Sequence, residues 1–401
     1  MSAIVENFVE QASGGLVGSD ITDLDGINFS NIGAEFPIKK HRCYFNNASI
    51  GALSDPVVAS INVFLNDVQQ NGRNNYPNWC RYADTAIKDR AARLIGAKPT
   101  EIAYVKNTTE GLINVANGLD WRDGDNVIIA DIEYPSNVYC WMKLAAKGVS
   151  IKWVKNREGR ILIDDIAALI DKRTRLVSLS AIQFSNGFRL DLASLSELCT
   201  KTGVLLNLDA IQWIGAMALD LSQFKVDFLS AGGHKWLLAP IGTGLFYCRE
   251  SALDYLDPPN VGYHSVNKTE DHMDYDLTYR ADSGRFEEAI VNFPGIWGLD
   301  AAIKIHLALG QTNIEKHILG LTLYAGEELK RKGYKIVSSE IDSERSGNFS
   351  FEHPNISLQV IAEKLKAAGI DLAIRGTALR ISPTYYNDKD EIDRFVDALP
   401  N

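Results

Sequence analysis

The residues with the clearest potential for chemistry lie in the stretch 230–237, which reads Ser-Ala-Gly-Gly-His-Lys-Trp-Leu. The run 226–229 before it predicts a short buried strand. A lysine held against apolar neighbours such as Trp236 loses hydration, which lowers its pKa and makes its amine nucleophilic. Lys235 is therefore a candidate for Schiff-base formation with a carbonyl group, and the alternative is a surface lysine at a strand end.

A second candidate is an anion site. Asn107, Thr108 and Thr109 follow the apolar run 102–106, and Glu110 comes three residues after Asn107. This spacing is typical of a helix N-cap with a reciprocal acid. The free N–H groups of such a helix start, with two threonine hydroxyls, would bind an anion. A plain helix cap explains the same residues, so both interpretations stay open.

Three more candidates follow other apolar runs. Tyr134 could stack on a flat ring or belong to the core. Asn186 could bind a carboxylate or a ring hydroxyl, or form a turn before Gly187. Asp209 closes the run 204–208, where a buried carboxylate needs a partner such as a protonated pyridine nitrogen, unless it caps the next helix.

These candidates stand at the ends of apolar runs that predict the strands of one sheet. Continuous apolar strands with helical segments between some of them indicate an α/β fold with a parallel sheet buried on both faces, and the last run is expected to return antiparallel. The predicted strands are residues 102–106, 127–130, 151–154, 176–179, 204–208, 228–229 and 242–247. Ligands of such sheets bind at the carboxyl ends of the strands.

An anion site, an aromatic ring, an acid and a lysine would therefore meet at one edge of the sheet. Pyridoxal 5'-phosphate (PLP) requires these four groups: N–H donors for its phosphate, a stacking face for its ring, a carboxylate for its ring nitrogen and an amine for its aldehyde. The combination predicts a PLP site, although each part alone has an ordinary structural explanation.

Composition excludes several other functions. A net charge of -10 without a basic cluster argues against nucleic acid or a membrane as a partner. We find no secretory signal, and no run approaches the length of a membrane helix. Five scattered cysteines without a Cys-x-x-Cys pair favour free thiols in the cytoplasm, and seven histidines show no metal-ligand spacing.

We expect four segments along the chain. Residues 1–40 form an N-terminal arm that packs on the small domain, and residues 41–260 form the large PLP-binding domain. Residues 261–295, which are rich in proline and glycine, form a bridge. Residues 296–401 form a smaller α+β domain, which opens with one long helical stretch over 296–333 and contains strands near 334–337, 370–374 and 379–382.

Five motifs together resemble the class V aminotransferases, a group of fold-type-I PLP enzymes that includes cysteine desulfurases, kynureninase and isopenicillin N epimerase. They are Thr108-Thr109-Glu110-Gly111, Asp209-x-x-Gln212, His234-Lys235-Trp236, Arg285-Phe286-Glu287 and Arg380-Ile381-Ser382. The resemblance covers nearly the whole chain. It implies a mostly parallel seven-stranded sheet sandwiched by helices, a smaller α+β C-terminal domain, PLP and a homodimer.

The resemblance also implies roles for single residues. Lys235 would carry the cofactor and move the α-proton, Asp209 would face the pyridinium nitrogen, and Tyr134 would stack on the ring. The cofactor-binding residues that it implies are Thr108, Thr109, Tyr134, Asp209, Gln212, His234 and Lys235. Arg380 would bind the substrate α-carboxylate with help from Asn186, and Arg375 is a candidate for binding the substrate side chain.

Four departures from the family pattern narrow the reaction. The loop 375–379 lacks the nucleophilic cysteine of the desulfurases, and the last cysteine of the chain is Cys248. Tyr134 stands where the desulfurases have a histidine. Gly232 replaces a common phosphate-binding serine, and Ile290 replaces a threonine that often reaches the partner's phosphate. A desulfurase that carries a persulfide is therefore not expected.

The leading hypothesis is a PLP enzyme that acts on a small amino acid through an external aldimine and an α-carbanion. An aminotransferase and a C–S or β-elimination lyase stay open as outcomes, and an epimerase like the isopenicillin N enzyme is the alternative. A non-catalytic binding protein on the same fold is the alternative from another class. A nicotinamide dehydrogenase would need a Gly-x-Gly-x-x-Gly after the first strand, which is missing.

Overall fold

The computed structural model describes residues 28–267, 273 and 275–400. In chain order the strands are β1 (Cys43–Tyr44), β2 (Ile102–Val105), β3 (Asn126–Ala130), β4 (Ser150–Val154), β5 (Thr174–Ser180), β6 (Leu205–Asp209), β7 (Phe228–Gly232), β8 (Gly244–Cys248), β9 (Lys335–Ile336), β10 (Phe349–Glu352), β11 (Ile370–Asp371), β12 (Ala373–Arg375) and β13 (Ala378–Ile381). The α-helices are α1 (Asp55–Asn71), α2 (Tyr76–Tyr82), α3 (Lys88–Ile95), α4 (Thr108–Gly118), α5 (Ser136–Met142), α6 (Ile163–Ala167), α7 (Leu192–Thr202), α8 (Phe293–Leu309), α9 (Gln311–Arg331), α10 (Leu358–Ala367) and α11 (Lys389–Ala398).

The central sheet has seven strands in the order β2-β8-β7-β6-β5-β3-β4. All neighbouring pairs are parallel except those that involve β8, which runs antiparallel to β2 and β7. Successive residues of β3 alternate between two apolar cores, with Val127 and Ile129 in one and Ile128 and Ala130 in the other. The predicted α/β fold with a mostly parallel sheet buried on both faces is confirmed.

Helix α4 begins at the edge of the sheet where the parallel strands end. The Asn107 side chain accepts a hydrogen bond from Glu110 N at 3.0 Å, as an N-cap does. The reciprocal hydrogen bond of the acid differs from the predicted one. The Glu110 carboxylate accepts from Lys106 N at 2.5 Å and not from Asn107 N. A Cβ at Gly111 would lie 2.3 Å from Ser230 Oγ, so only glycine lets α4 approach β7 this closely.

A second unit follows the central sheet. Strands β12, β13, β10 and β9 form an antiparallel four-stranded sheet in that order. This sheet shares an apolar core with α9, α10 and α11. Strand β1 pairs in parallel with β11, so the segment after β1 lies against the C-terminal part of the chain.

Two of the predicted elements are wrong in their bounds. The single helical stretch expected over 296–333 is two helices, because Gly310 takes a left-handed φ of 78° between α8 and α9. The strand expected over 370–374 is split between β11 and β12, which belong to different sheets. Helix α8 packs mainly against α1.

The predicted N-terminal arm lies largely outside the described residues, which start at Asn28. From there to residue 40 the chain forms two short 3₁₀ turns. Phe36 stacks on Tyr386 at 4.1 Å between ring centroids, and Lys39 forms an ion pair with Asp388 at 2.7 Å. The division of the chain at residues 40, 260 and 295 stays a prediction. No helix within the described ranges is long and apolar enough to span a membrane.

Candidate active site

A cavity of about 470 Å³ opens at the carboxyl ends of β6 and β7, beside the start of α4. It brings together every predicted site residue except Asn186. Its lining residues are Ala48, Ser49, Ile50, Asn107, Thr108, Thr109, Tyr134, Ser136, Phe184, Asp209, Ile211, Gln212, His234, Lys235, Ile241, Arg375 and Arg380. Because the parallel strands end at this edge of the sheet, residues from distant parts of the sequence lie close together there.

Lys235 lies three residues beyond the end of β7. Its Nζ is 5.5 Å from the centroid of the Tyr134 ring. Burial lowers the pKa of Lys235 to about 8; the Asp209 carboxylate opposes this shift, and the charges of Arg380 and Arg375 add to it. The amine is therefore partly unprotonated near neutral pH, as a nucleophile must be.

Asp209 is the last residue of β6, and its side chain is 3 % exposed. Burial raises the pKa of this carboxyl to about 6, although a hydrogen bond from Ile211 N at 3.1 Å and the charge of Lys235 both lower it. A buried carboxyl that is so weakly compensated is suited to a cationic partner, such as a protonated ring nitrogen.

The start of α4 also lines the cavity. Thr108 Oγ1 accepts a hydrogen bond from Gly232 N at 2.9 Å, and Thr109 Oγ1 donates to Ser136 Oγ at 2.8 Å. Burial, reinforced by the charge of Lys235, lowers the pKa of His234, and its Nδ1 is buried without a hydrogen-bond partner in the described part of the chain. Free helix N–H groups, two hydroxyls and an unused imidazole nitrogen fit a phosphate.

The side-chain amide of Gln212 links the cavity to three neighbouring residues through hydrogen bonds. Its Oε1 accepts from Trp236 Nε1 at 2.8 Å and from Asn348 Nδ2 at 3.3 Å, and its Nε2 donates to Ala48 O at 3.2 Å. An amide nitrogen carries two N–H donors. One donor therefore stays available for a ring hydroxyl, the role that the resemblance implies.

Arg380 and Arg375 form one part of the cavity wall, and the charges of both act on Lys235. Arg380 Nη1 donates to Phe184 O, and its Nη2 donates to Ser49 Oγ at 3.1 Å. Its Nε is buried without a partner among the described residues. Arg375 Nη2 donates to the same Ser49 hydroxyl at 2.8 Å. This wall is suited to an anionic ligand.

The structure does not bring Asn186 into the cavity. Its Nδ2 donates to Gly159 O at 2.8 Å, and its Oδ1 accepts from Phe188 N at 3.0 Å. Gly187 takes a φ of 76°, as expected for the turn that was the other interpretation. We therefore withdraw Asn186 from the proposed carboxylate ligands.

Sequence reasoning missed three polar residues of this site. Ser49 and Ser136 line the cavity, and Glu133 is a buried acid close enough to the lining residue Asp209 for their charges to interact. Burial raises the pKa of Glu133 to about 7, and Glu133 accepts a hydrogen bond from Ser180 N at 2.8 Å. It thereby fixes the loop that carries Tyr134. These residues are brought together by contacts between parts of the chain that are far apart in the sequence. No local sequence pattern could therefore predict their proximity.

The Arg285-Phe286-Glu287 motif supports the scaffold and does not line this cavity. Glu287 is buried, accepts a hydrogen bond from Tyr104 N at 2.9 Å and forms an ion pair with Lys88 at 3.0 Å. Phe286 packs edge-on against Phe246 of β8. The motif therefore fastens the chain after residue 280 to the central sheet.

None of the five cysteines lines the cavity. Burial raises the pKa of Cys140 and of Cys199 to about 12, and it raises the pKa of Cys248 further. The thiolate is the nucleophilic form of cysteine. These buried thiols are therefore poor nucleophiles.

Comparison with known proteins gives the same class. The family model for class-V aminotransferases matches residues 43–395. The chain is 29% identical to a probable cysteine desulfurase of Methanothermobacter thermautotrophicus, over 91% of this chain and 96% of that one. It is 30% identical to a cysteine desulfurase of Cronobacter sakazakii, over 78% of this chain and 81% of the relative.

Solved structures share the fold. The apo cysteine desulfurase of Thermococcus onnurineus superposes with a TM-score of 0.84 at 24% identity, covering 92% of this chain and 96% of that one. The cystine C–S lyase C-DES, solved with its reaction product cysteine persulfide, also gives 0.84 at 24% identity, over 90% of this chain and 98% of the lyase.

The sheet, the cavity at its edge and the buried lysine define a fold-type-I PLP enzyme. The chain belongs to the class-V aminotransferase family. The residues present fit this cofactor, because the unpartnered His234 Nδ1 and the start of α4 suit its phosphate, and the buried Asp209 carboxyl suits its ring nitrogen.

Proposed function

We propose that this enzyme is a lyase that eliminates a β-substituent, such as a thiol, from a small amino acid. The observation that carries the proposal is the convergence of Lys235, Asp209 and the start of α4 on one cavity that no described cysteine lines. The similarity to a cystine C–S lyase and to cysteine desulfurases supports chemistry at a carbon–sulfur bond.

PLP supplies an aldehyde that condenses with amino groups and a ring that accepts the electron pair of a bond broken at Cα. Lys235 Nζ would hold it covalently, and Thr108, Thr109 and His234 would bind its phosphate. Asp209 would keep the ring nitrogen protonated. Tyr134 would cover one face of the ring, and Gln212 would donate to the ring hydroxyl.

Lys235 also has the properties of the proton carrier. With a pKa of about 8, its amine can both accept and return a proton near neutral pH. In the proposed reaction the substrate amino group would replace Lys235 on the cofactor, the freed Lys235 Nζ would accept the α-proton, and the electron pair of the Cβ–S bond would leave with sulfur. Addition of water to the remaining fragment gives pyruvate and ammonia, so no oxidant or reductant is needed.

Arg380 would bind the substrate α-carboxylate. Its guanidinium is 1 % exposed and donates only to Phe184 O and Ser49 Oγ within the described residues, so it has capacity for a carboxylate. Such a charge-assisted pair is among the stronger hydrogen bonds in proteins. The pair would aim the substrate Cα at Lys235.

The missing cysteine separates this enzyme from desulfurases that store sulfur on the chain. The turn between β12 and β13 is Gly376-Thr377, too short for a mobile loop. We therefore propose that sulfur leaves as a free thiol or persulfide product.

The test is incubation of the PLP-loaded enzyme with L-cystine and L-cysteine, with pyruvate and ammonia measured separately. We expect equal amounts of both, and none from Lys235→Ala. A keto acid formed without free ammonia would identify transamination instead. Loss of optical rotation without pyruvate would identify epimerisation.

We also propose that two copies of the chain assemble, as the family resemblance implies, with Ile241, Val261 and Ile290 in the interface. These three exposed apolar residues, here called the apolar rim, have 68%, 45% and 60% exposure, and Ile241 also lines the cavity. Asn292 Nδ2 donates to Gly242 O at 3.2 Å and holds two parts of the rim together. The free cysteines support a reducing, cytoplasmic location.

A further inference from the structure

Two arginines share one wall of the cavity, and neither forms an ion pair with an acid among the described residues. Arg380 and Arg375 both donate through Nη2 to Ser49 Oγ, at 3.1 and 2.8 Å, so a single oxygen atom separates the two guanidinium groups. Their other hydrogen bonds in the described chain go to the backbone carbonyls of Phe184 and Ile374. In the part of the chain that the structure describes, the two cations therefore lie together without an ion-paired carboxylate.

The β12–β13 hairpin explains why both side chains reach the same cavity. Ala373 faces Arg380 across the ladder, and Arg375 faces Ala378. Side chains alternate along each strand, so Arg375 and Arg380 project from the same face as diagonal neighbours. The two cations thus occupy separate positions on this face.

Ser49 holds both guanidinium groups in place. Its hydroxyl donates its single proton to Asn46 Oδ1 at 2.6 Å, so its lone pairs are left to accept from the two arginines. The loop that carries Ser49 is fixed in turn, because Ser382 Oγ accepts from Ala48 N at 3.0 Å. The two cations are therefore positioned by neutral groups before any ligand arrives.

Charge balance sets the requirement on the ligand. Like charges that lie close together are costly unless opposite charges compensate them, and here Arg380 is buried and Arg375 is half-buried. Burial and the charge of Arg375 lower the pKa of Arg380 to about 9, which reflects this cost. One substrate α-carboxylate compensates only one of the two guanidinium groups.

We infer that Arg375 binds a second acidic group, on the side chain of the substrate, and that the substrates are amino acids with an anionic side chain. The inference rests on the proposed function, in which Arg380 binds the α-carboxylate. A neutral side chain would leave the Arg375 charge uncompensated.

The test uses two compounds that differ only in one charge, S-carboxymethyl-L-cysteine and its amide, S-carbamoylmethyl-L-cysteine. Each is titrated into the PLP-loaded enzyme, and the half-saturating concentration is taken from the change in the visible absorption of the cofactor, before turnover accumulates. We expect the acid to half-saturate at a concentration at least about tenfold lower, the ratio that 1.4 kcal/mol produces.

Two variants test separately what Arg375 and Arg380 contribute to ligand binding. Arg375→Gln is expected to weaken binding of the acid about tenfold and to leave binding of the amide unchanged, which removes the preference. Arg380→Gln is expected to weaken both compounds by the same factor, because both carry the α-carboxylate. Circular dichroism checks the folding of each variant, and the comparison of the two compounds on the unmodified enzyme needs no variant.

Equal half-saturation by the acid and the amide would overturn the inference and leave the proposed function standing, since both compounds would still change the absorption. If Arg375→Gln weakened binding of the acid and of the amide equally, the inference would also be overturned, because the two arginines would then bind the same α-carboxylate. If no amino acid changes the absorption, the proposed function fails and the inference fails with it.

Discussion

Burial shifts the pKa of Lys235, Asp209 and His234, and at Asp209 it disfavours the carboxylate form until a cationic partner compensates it. The pKa of Lys235 falls to about 8, that of Asp209 rises to about 6, and that of His234 falls. Residue types after strands were enough to predict these three positions. They could not predict Asn186, because whether its side chain enters the cavity or closes a turn depends on the backbone at Gly187.

The pH dependence of cofactor capture tests the lysine. Because only the unprotonated amine attacks, the rate at which apo-enzyme takes up PLP should rise with pH around a midpoint near 8, not near 10.5. Asp209→Asn removes a negative charge that raises the pKa of Lys235, so it should move the midpoint lower. Stopped-flow absorbance measures both profiles.

The unmodified enzyme and Asp209→Asn react with the same PLP in that experiment. Protonation of PLP itself therefore affects both midpoints equally and cancels when one midpoint is subtracted from the other. A midpoint near 10 in the unmodified chain, or an upward shift in Asp209→Asn, would contradict the account of this pair.

At the scale of elements, the site depends on where α4 starts and on how the β12–β13 hairpin meets the loop after β1. The cap of α4 was predictable because its residues are neighbours in sequence. The position of Ser49 was not, since it requires the pairing of β1 with β11 and the contact of Ala48 with Ser382, more than 300 residues away. Local patterns carry no information on such contacts.

Asn107→Ala tests the role of the helix start. Loss of its side-chain bond to Glu110 N should lower the free energy of unfolding by about 1 kcal/mol and also weaken PLP binding, because the first N–H groups of α4 lose their alignment. Denaturant unfolding of the apo-enzyme and PLP titration measure the two effects.

Asp191→Ala is the matched control, since Asp191 caps α7 through Ser194 N at 3.0 Å and does not line the cavity. It should lose similar stability and keep its PLP affinity. If both variants weakened PLP binding equally, the effect would come from stability alone.

At the scale of the whole molecule, the sheet was predictable because buried parallel strands are long apolar runs. The bounds of the helices and strands in the C-terminal part of the chain were less predictable. Gly310 could have been an interior helix residue, and only its left-handed conformation separates α8 from α9. The strands β11 and β12 are separated by Leu372 alone, and their different partners are set by tertiary packing.

Assembly gives a prediction at the same scale. Ile290→Asp should convert a dimer into monomers, because a charge in an apolar interface lacks a partner. Leu323→Asp serves as the control, since Leu323 is also about half exposed but lies on α9 and is not one of the three residues of the apolar rim. Sedimentation velocity distinguishes the two states. A dimer unchanged by Ile290→Asp would place the interface elsewhere.

The central claim is that one amine, Lys235, holds the cofactor at the sheet edge. Borohydride reduction of the PLP-loaded enzyme fixes the cofactor permanently to the lysine that carries it, and peptide mass spectrometry then locates the adduct. The account predicts the adduct on the peptide that contains Lys235 and its absence from Lys235→Ala. An adduct on any other lysine, or none at all, would contradict it.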